Sequence, residues 1–332
     1  MSATETLAAL KEHLPLVHSG KARESFHVWK ARSGTQGYRA IYPTDRISSD
    51  DFVLGFLMEG KGEILNAETV FWKLRAEIMG IQTDLIAYGP DVDVYLPPAL
   101  RGNPELWKRL SIVEELEMVP GECIDRNVLS GSASRQYANP ENNGVVYGHQ
   151  LPPELQEGDW LETPLFTPTT KAKEGHDEPL TFDEFVERYP GIDEATHSVT
   201  RVLNEGTDRT GVAFYADHKV EFGQREGVGP YILCDEVGTP DSSRIWRVSD
   251  YKTRKPGTVP PPNDKDFIRE RMKILGIKSF DPRVPEDRDA VRKFGIPGAF
   301  VEEAVRLYAT TPALTTSMDL RVLQREVLGV DL

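Results

Sequence analysis

Charged and apolar residues alternate along the segment 211–223, which reads GVAFYADHKVEFG. Successive side chains of a β-strand point to opposite faces, so Asp217, Lys219 and Glu221 are predicted to share one face. A turn then leads into PYILCDEV, and a hairpin of the two strands can bring Asp235 to the same wall as Glu221. Hard carboxylate oxygens on rigid strands suit Mg²⁺, which commonly takes one or two carboxylates together with substrate phosphates. A solvated strand face with ordinary salt bridges fits the spacing equally well.

Three short basic clusters could bind phosphate groups. The string GKAR could lay backbone amides and the cations of Lys21 and Arg23 over a polyphosphate. It lacks the spacing of a P-loop or a Rossmann turn, so an exposed basic turn is the simpler interpretation. Arg126 and Ser132 lie around a glycine that allows close backbone approach, and both can donate to an anion. Arg244, in DSSR, adds a guanidinium beyond the hairpin, unless this string is only a turn capped by its aspartate.

No nucleophile signature is recognisable in the sequence. There is no GxSxG elbow, and Cys123 and Cys234 each lie among apolar residues. The neighbours His176 and Asp177 are interpreted as a loop feature rather than a catalytic dyad. Basic clusters beside strand carboxylates instead indicate phosphate chemistry, in which the protein mainly positions groups and neutralises charge.

The chain has 332 residues, with 39 Lys and Arg against 53 Asp and Glu, for a formal net charge of −14. This length indicates about two domains. The negative charge argues against a nucleic-acid partner, because such binding depends largely on Lys and Arg. Two cysteines without metal-ligand spacing indicate neither a disulfide framework nor zinc, and favour a reducing cytoplasm. Neither a secretory signal nor a membrane-spanning run is recognisable.

The elements that position these residues are predicted, in the first half, to be mainly strands. Turn chemistry between two β-rich stretches predicts an antiparallel hairpin over residues 20–43. Apolar residues at three- and four-residue steps predict a helix from an Asn66 cap to Gly80. Further strands are predicted at Thr83–Tyr88, Val92–Leu96 and Ser111–Val119.

In the second half, residues 134–168 are predicted to form a long ordered excursion with short strands. The capping box of Thr181 and Glu184 opens a helical hairpin predicted over residues 182–206. In segment 211–223 the face opposite the charged residues is predicted to carry Ala216, His218, Val220 and Phe222. Two later helices are predicted at Asp266–Leu275 and Pro297–Tyr308.

Taken together, an ordered set of strings resembles the SAICAR synthetase (phosphoribosylaminoimidazole-succinocarboxamide synthase) family of purine biosynthesis. The set runs from about Gly20 to Glu270 and consists of GKARE, TDRIS, EGKGEIL, FWKL, ECIDRN, SGS, LFTPTTKA, HDE, ADHKVEFG, CDEVGTPDSSRIW and DKDFIRE. The resemblance implies an α+β fold of two lobes, with antiparallel sheets and flanking helices. It places a smaller ATP-covering lobe at residues 1–120 and a larger lobe with the metal and ribotide sites at residues 121–332.

The resemblance also implies roles for the matching positions. The cofactor-binding positions are Lys21, Arg23, Lys171, Glu221 and Asp235. Of these, Glu221 and Asp235 match the ligands of a Mg²⁺-nucleotide complex. The substrate-binding positions are Arg126, Ser132 and Arg244, which match residues that hold the phosphoribosyl group, with Asp45 of TDRIS added to them. The catalytic positions are Lys219, Asp217 and Arg244.

The implied activity is an ATP-dependent ligation with Mg²⁺. A phosphoribosyl-aminoimidazole carboxylate becomes an acyl phosphate, and the α-amine of L-aspartate attacks it to give the succinocarboxamide, ADP and phosphate. The expected partners are these small molecules, without nucleic acid or membrane, and an oligomer is compatible with the resemblance. The alternatives are a specialised paralogue that joins another carboxylate or amine, and a catalytically idle nucleotide-binding regulator.

Three departures from the family pattern concern the acceptor side. Asp50 follows TDRIS where the family has an aromatic residue, Asp125 adjoins Arg126 where an apolar residue is usual, and residues 133–136 replace the family's run after SGS. An added anion would repel a carboxylate substrate unless it points away or meets a cation. Any difference in substrate choice is therefore predicted at the carboxylate or the amine rather than at the nucleotide. Exposed substitutions without consequence are the alternative.

Overall fold

The computed structural model describes residues 2–28, 37–170 and 180–331. The strands within these residues are β1 Leu16–Ser19, β2 Arg23–Val28, β3 Tyr38–Pro43, β4 Arg46–Ser49, β5 Phe52–Leu57, β6 Leu85–Tyr88, β7 Ser111–Glu114, β8 Glu117–Met118, β9 Gly121–Val128, β10 Val145–Val146, β11 His149–Gln150, β12 Trp160–Phe166, β13 Thr169–Thr170, β14 Ala213–Arg225, β15 Val228–Cys234 and β16 Ser243–Arg247.

The α-helices of the same residues are α1 Ala3–His13, α2 Lys61–Ile78, α3 Pro104–Arg109, α4 Gly131–Tyr137, α5 Phe182–Arg188, α6 Ile192–Thr210, α7 Val248–Thr253, α8 Asp266–Ile274, α9 Pro285–Arg292, α10 Gly298–Thr316 and α11 Leu320–Glu326. None of the helices in the described ranges is both long enough and apolar enough to cross a membrane.

Two antiparallel sheets carry most of the strands. The first has the order β1-β2-β3-β7-β6, and the second has β12-β9-β14-β15, with β13 on β9 and with β8 and β16 on β14. Helices flank both sheets, which confirms the α+β class. The first sheet ends at Glu114 and the second begins at Glu117, close to the lobe boundary predicted at residue 120. The division into two lobes stays a prediction, because α10 and α11, from the carboxyl-terminal part, pack on α2.

Strand β14 covers the segment whose alternation predicts a strand, and it pairs with β9, β15, β8 and β16 in the second sheet. A register shift between Tyr215 and Asp217, where β14 pairs with β16, moves successive core residues to opposite sides of the strand. Tyr215 therefore joins the main core with Val220 and Phe222, whereas Ala216 packs in a separate cluster. The prediction that Ala216 shares the face of Val220 and Phe222 is wrong for this reason.

Helix α2 begins at Lys61, five residues before the predicted cap. Asn66 lies inside the helix, where its buried amide donates to the Lys108 carbonyl at 3.0 Å and accepts from the Ser111 hydroxyl at 2.7 Å. A second difference is at Val92–Leu96, predicted as a strand, where a 3₁₀ helix spans Gly89–Val94 with proline in its first turn. Proline has a fixed φ and no amide hydrogen, so it suits a helical first turn better than a strand interior.

The other predicted elements are found with shifted ends. Strands β2 and β3 pair antiparallel as the predicted hairpin, and the capping box of Thr181 and Glu184 starts α5. Helix α6 follows and covers the second sheet, where its apolar side meets Trp72 of α2 in the main core. Gly238 packs on Trp72, and an added Cβ there would lie 2.4 Å from the indole ring. This contact fixes the loop that follows β15.

Candidate active site

A cavity of about 1340 Å³ opens between the two sheets and α8. It is lined by residues of β2, β9, β14 and β16, by the loop after β15, and by the start of α8. Asp217, Lys219 and Glu221 all line it, so the predicted charged face of β14 is confirmed as a cavity wall. Asp217, at one end of this charged face, and Glu221, at the other end, lie beside two different sets of side chains.

Glu221 and Asp235 lie on one side of the cavity. Glu221 faces Cys234 across the β14–β15 pairing, and Asp235 follows directly with a left-handed φ of 54°. The guanidinium of Arg23 donates to Asp235 Oδ2 at 2.6 Å and lies 3.4 Å from Glu236 Oε1. Burial alone would lower the pKa of Arg23, but Asp235, Glu236 and Glu221 outweigh it and raise this pKa. The guanidinium therefore stays charged.

Lys219 points to the same side. Its ammonium forms an ion pair with Glu122 of β9, a residue for which the sequence assigned no role. Burial would lower the pKa of Lys219, but Glu122, Glu221 and Asp235 raise it above its ordinary value. We call this side the carboxylate wall, which comprises Arg23, Glu122, Lys219, Glu221, Asp235 and Glu236.

Arg126 and Arg244 converge on Asp217 at the other side of the cavity. Arg126 Nη1 donates to Asp217 Oδ2 at 2.8 Å, and Arg244 Nη1 binds the same oxygen. Arg244 Nε also donates to Asp266 Oδ2 at 2.6 Å, and Asp266 Oδ1 accepts from Arg269 Nη1 at 2.5 Å. We call this side the arginine wall, which comprises Arg126, Asp217, Arg244, Asp266 and Arg269.

Ser132 extends the arginine wall through α4. Its hydroxyl accepts from Arg126 Nη2 at 3.0 Å and from the Tyr147 hydroxyl at 3.0 Å. Gly131 has φ 62°, and an added Cβ would lie 2.8 Å from Arg244 Nη2. A glycine is therefore required there, as the predicted close backbone approach needs.

The pKa of Asp217 reflects its two arginines. Burial would raise this pKa, but Arg244 and Arg126 together lower it below the ordinary value. Asp217 is thus ionised and binds both guanidiniums through one carboxylate oxygen. The structure brings Asp217, Arg126, Ser132 and Arg244 together as one set, and Lys219, Arg23, Glu221 and Asp235 as another.

The two predicted nucleotide-binding lysines outside β14 differ in what the structure describes. Lys21 lines the cavity with a half-exposed side chain that is ion-paired with Asp51. Lys171 lies outside the described residues, as do His176 and Asp177.

Asp45, predicted to bind substrate, lies outside the residues that line the cavity. Its carboxylate accepts from Arg109 Nη1 at 2.8 Å and from the Gly62 amide at 2.9 Å, in the first turn of α2. Arg109 is buried, so Asp45 neutralises a buried cation and the positive end of a helix. The carboxylate is therefore engaged outside the cavity, and the role of Asp45 in substrate binding stays a prediction that this geometry does not support.

The two added anions are both compensated. Asp125 is fully buried on the far side of β9, where its carboxylate is bound by the Thr200 hydroxyl and lies 2.7 Å from His197 Nδ1. Asp50 does line the cavity, but it is ion-paired with Lys278. Asp125 therefore points away from the cavity, and Asp50 is neutralised by a cation. Under these two conditions neither anion repels a carboxylate substrate.

Arg269, Asp266 and Lys265 are site residues for which the sequence assigned no role. All three line the cavity at the start of α8. All three belong to the string DKDFIRE, which is part of the family resemblance, so the sequence marks this segment without assigning its residues a role. Only the packing of α8 on β4 and β5, together with the ion pair of Asp266 with Arg244 of β16, shows which of its charges face inward.

Comparisons with known proteins identify the family of this chain. A family model described as SAICAR synthetase matches residues 16–280. The chain belongs to the SAICAR synthetase family. It is 34% identical over 287 residues to the phosphoribosylaminoimidazole-succinocarboxamide synthase of Xanthomonas axonopodis pv. citri, with 82% of this chain and 88% of that protein covered. The synthase of the same description from Stenotrophomonas maltophilia is 35% identical over 288 residues, with 82% and 89% covered.

The fold is similar to that of the SAICAR synthase from Saccharomyces cerevisiae in complex with SAICAR. The TM-score is 0.71 at 25% identity, and the match covers 92% of this chain and 96% of that chain. Membership of the SAICAR synthetase family makes the present chain an ATP-dependent ligase of purine biosynthesis. Neither the specialised paralogue nor the idle regulator gains support from these relatives.

Proposed function

We propose that this ligase binds Mg²⁺-ATP at the carboxylate wall and its phosphoribosyl carboxylate at the arginine wall, and joins that carboxylate to L-aspartate. The observation that carries the proposal is the placement of Asp217, Lys219 and Glu221 along one face of β14, in one cavity. One strand thereby spans both binding regions and carries a cation between them. A rigid strand keeps the two reactants in a constant relation, which is the main task in phosphoryl transfer.

Glu221 and Asp235 are the residues that would hold Mg²⁺. No group of three or more His, Cys, Asp or Glu side chains is arranged for a metal within residues 2–28, 37–170 and 180–331. Two carboxylates on a cavity wall nevertheless fit Mg²⁺, which keeps waters and takes its remaining ligands from phosphates. When bound, Mg²⁺ would neutralise charge that develops on the phosphates.

Lys21, Arg23 and Lys219 are the cations that we assign to the nucleotide, with Lys171 as a further position from the resemblance. Arg23 and Lys219 are charged and held by carboxylates, so a bound polyphosphate would exchange partners with groups already in place. Such preorganised charge costs little reorganisation when the reaction occurs. Lys219 is the member of the carboxylate wall that lies next to Asp217 on the charged face of β14, so we assign it to the transferred phosphoryl group.

Arg126, Arg244 and Ser132 are assigned to the phosphoribosyl carboxylate. A guanidinium can bind a phosphate through two parallel N–H groups, and Ser132 adds a hydroxyl donor. Asp217 orients both arginines. A carboxylate oxygen of the substrate attacks the γ-phosphorus and ADP leaves, and then the aspartate amine attacks the acyl carbon and phosphate leaves. No enzyme nucleophile is required, in agreement with the sequence.

Phosphate release tests this function. Enzyme with ATP, Mg²⁺ and phosphoribosylaminoimidazole carboxylate should release phosphate when L-aspartate is present, and the product mass should be that of the succinocarboxamide. Glutamate, asparagine and alanine in place of aspartate are the matched controls. Efficient turnover with one of these and not with aspartate would reject the assigned amine. Absence of ADP with every amine would reject the ligase assignment. We also propose a cytoplasmic location, which suits the two buried free cysteines.

A further inference from the structure

Amide formation needs a proton acceptor, because an α-ammonium group has no lone pair with which to attack an acyl phosphate. A suitable base lies within reach of the reacting groups and has a pKa near the working pH. Of the carboxylates in the two walls, Asp235, Glu122 and Asp217 form ion pairs with arginine or lysine. Lys265, which lines the same cavity, is engaged differently.

Lys265 lies just before α8, beside the arginine wall. Its side chain is 14% exposed. Its ammonium nitrogen donates to the Ser48 hydroxyl at 3.1 Å, and Ser48 also lines the cavity. Lys265 interacts electrostatically with Arg269 of the arginine wall and with Glu236 of the carboxylate wall. Lys265 thus lines the cavity and interacts electrostatically with charges of both walls.

The carboxylate nearest to Lys265 is already shared. Asp241 lies 3.8 Å from the Lys265 nitrogen but 2.8 Å from that of Lys61, and it accepts from the Tyr308 hydroxyl at 2.7 Å. Lys61 is fully buried, so Asp241 is its necessary counter-ion. Lys265 is the lysine of this pair that faces the cavity, and therefore the one that can exchange a proton with a substrate.

The surroundings of Lys265 disfavour its charged form. Burial is the largest cause that lowers the pKa of Lys265, and the neighbouring cations Arg269 and Lys61 lower it as well. Asp241 and Glu236 oppose them without outweighing them, so the pKa falls from 10.5 to about 8. A lysine that is part neutral near pH 8 can accept a proton, whereas Lys219 in the same cavity cannot.

We propose that Lys265 is the general base that takes the proton from the α-ammonium of the incoming amino acid; this assignment rests on the proposed function. The neutral Lys265 nitrogen accepts one proton and becomes an ammonium. The freed amine lone pair forms the C–N bond, and the C–O bond of the acyl phosphate breaks with its electron pair on phosphate. The second amine proton leaves with the phosphate as hydrogen phosphate.

Hydroxylamine separates the base from the rest of the reaction. It is unprotonated at neutral pH, so it can trap the acyl phosphate as a hydroxamate without a base. Lys265→Met should lower kcat with aspartate by about a hundredfold or more, the usual contribution of a general base, and leave the hydroxamate rate unchanged. Lys265→Arg should lose the aspartate reaction equally, because arginine keeps the charge but does not release its proton. Lys252→Met, at an exposed lysine of α7 that does not line the cavity, is the control and should retain both reactions.

The pH profile provides the second measurement. The wild-type kcat with aspartate should rise toward pH 8. Lys265→Cys can be alkylated to aminoethyl-cysteine, whose amine is less basic than that of lysine. The alkylated variant should recover activity, and its kcat should rise at a lower pH than that of the wild type. Alkylated wild type controls for the two buried cysteines. Wild-type kcat in Lys265→Arg, or equal loss of both reactions in Lys265→Met, would overturn the assignment. A wild-type enzyme that makes ADP with neither nucleophile would instead reject the proposed function.

Discussion

The carboxylate wall and the arginine wall share strand β14, yet their charge balance is opposite. In the carboxylate wall two cations, Arg23 and Lys219, face four carboxylates. In the arginine wall three guanidiniums face the two carboxylates Asp217 and Asp266. An excess of negative charge attracts a metal-bearing ligand, and an excess of guanidinium attracts a bare phosphate. A protein with a net charge of −14 can therefore bind two anions, because charge is sorted locally.

The separation of the two walls follows from strand geometry. Asp217 and Glu221 are four residues apart on β14, so their Cα atoms are separated by about 13 Å at the rise of an extended strand. This length lets a nucleotide phosphate and a substrate carboxylate lie side by side between them. Lys219 occupies the midpoint. The two walls therefore differ through three alternate residues of β14: Asp217, Lys219 and Glu221. A substitution in one wall should have a different effect from a substitution in the other.

The largest effect is expected from Asp217→Asn. This change leaves Arg126 and Arg244 without their shared counter-ion in a buried site, which costs about 3–5 kcal/mol of unfolding free energy. The folded-state pKa of Asp217 is lowered, so its contribution is complete above the ordinary value of 3.8 and is lost as the pH falls through the lower folded value. Urea unfolding of wild type and variant should therefore differ at pH 7 and converge in acid.

Asp208→Asn, at an exposed position of α6, is the control for this measurement and should leave stability unchanged. A difference between wild type and Asp217→Asn that persists undiminished at pH 2 would contradict the linkage. It would mean that the arginine wall is held by something other than the ionised Asp217.

Glu221→Gln should act on turnover rather than on folding. The change removes a proposed Mg²⁺ ligand from the carboxylate wall, and kcat should fall by about a hundredfold, with Asp235→Asn similar. Higher Mg²⁺ should restore part of the rate, and the unfolding free energy should change little. Glu302→Gln, on the exposed side of α10, is the control. Wild-type rates at ordinary Mg²⁺ in both site variants would remove the metal assignment.

Arg244→Ala, in the arginine wall, and Arg23→Ala, in the carboxylate wall, should each weaken the binding of a different substrate. Loss of a charge-assisted hydrogen bond to a partly buried phosphate costs about 1.5–3 kcal/mol, so each KM should rise roughly tenfold or more. Arg244→Ala should raise the KM of the ribotide, and Arg23→Ala that of ATP. Ser132→Ala should follow Arg244→Ala with a smaller rise. Steady-state kinetics with each substrate varied in turn decides the matter, and the reverse pattern would show that the walls are exchanged.

The sequence predicts the carboxylate wall better by resemblance than by geometry. Period-two alternation correctly groups Asp217, Lys219 and Glu221, because β14 is regular there. Alternation continued along β15 would put Asp235 on the face of Leu233. In the structure Leu233 packs in the main core, and Asp235 reaches the cavity through its left-handed φ. A left-handed residue or a bulge is stabilised by tertiary partners, which alternation does not register.

The arginine wall shows the complementary gap. Arg126 on β9 and Arg244 on β16 are the cross-strand neighbours of Asp217. They lie 91 and 27 residues from it in the chain. No local pattern reports such pairing, and the second carboxylate, Asp266, comes from α8. Asp45 is the reverse case: its position in TDRIS suggests a substrate ligand, whereas in the structure Arg109 engages its carboxylate.

The smallest effect is expected at the rim, where Asp50 and Lys278 form an ion pair outside both walls. Their side chains are 16% and 66% exposed, so solvent screens the pair and its coupling free energy should lie between about 0.2 and 1 kcal/mol. Asp50→Ala, Lys278→Ala and the double variant should each change the ribotide KM less than about fivefold, and added salt should shrink the change. A tenfold fall in KM for Asp50→Ala alone would mean that its carboxylate repels the substrate. The departure at Asp50 would then act on acceptor binding, as the sequence suggests, despite its partner.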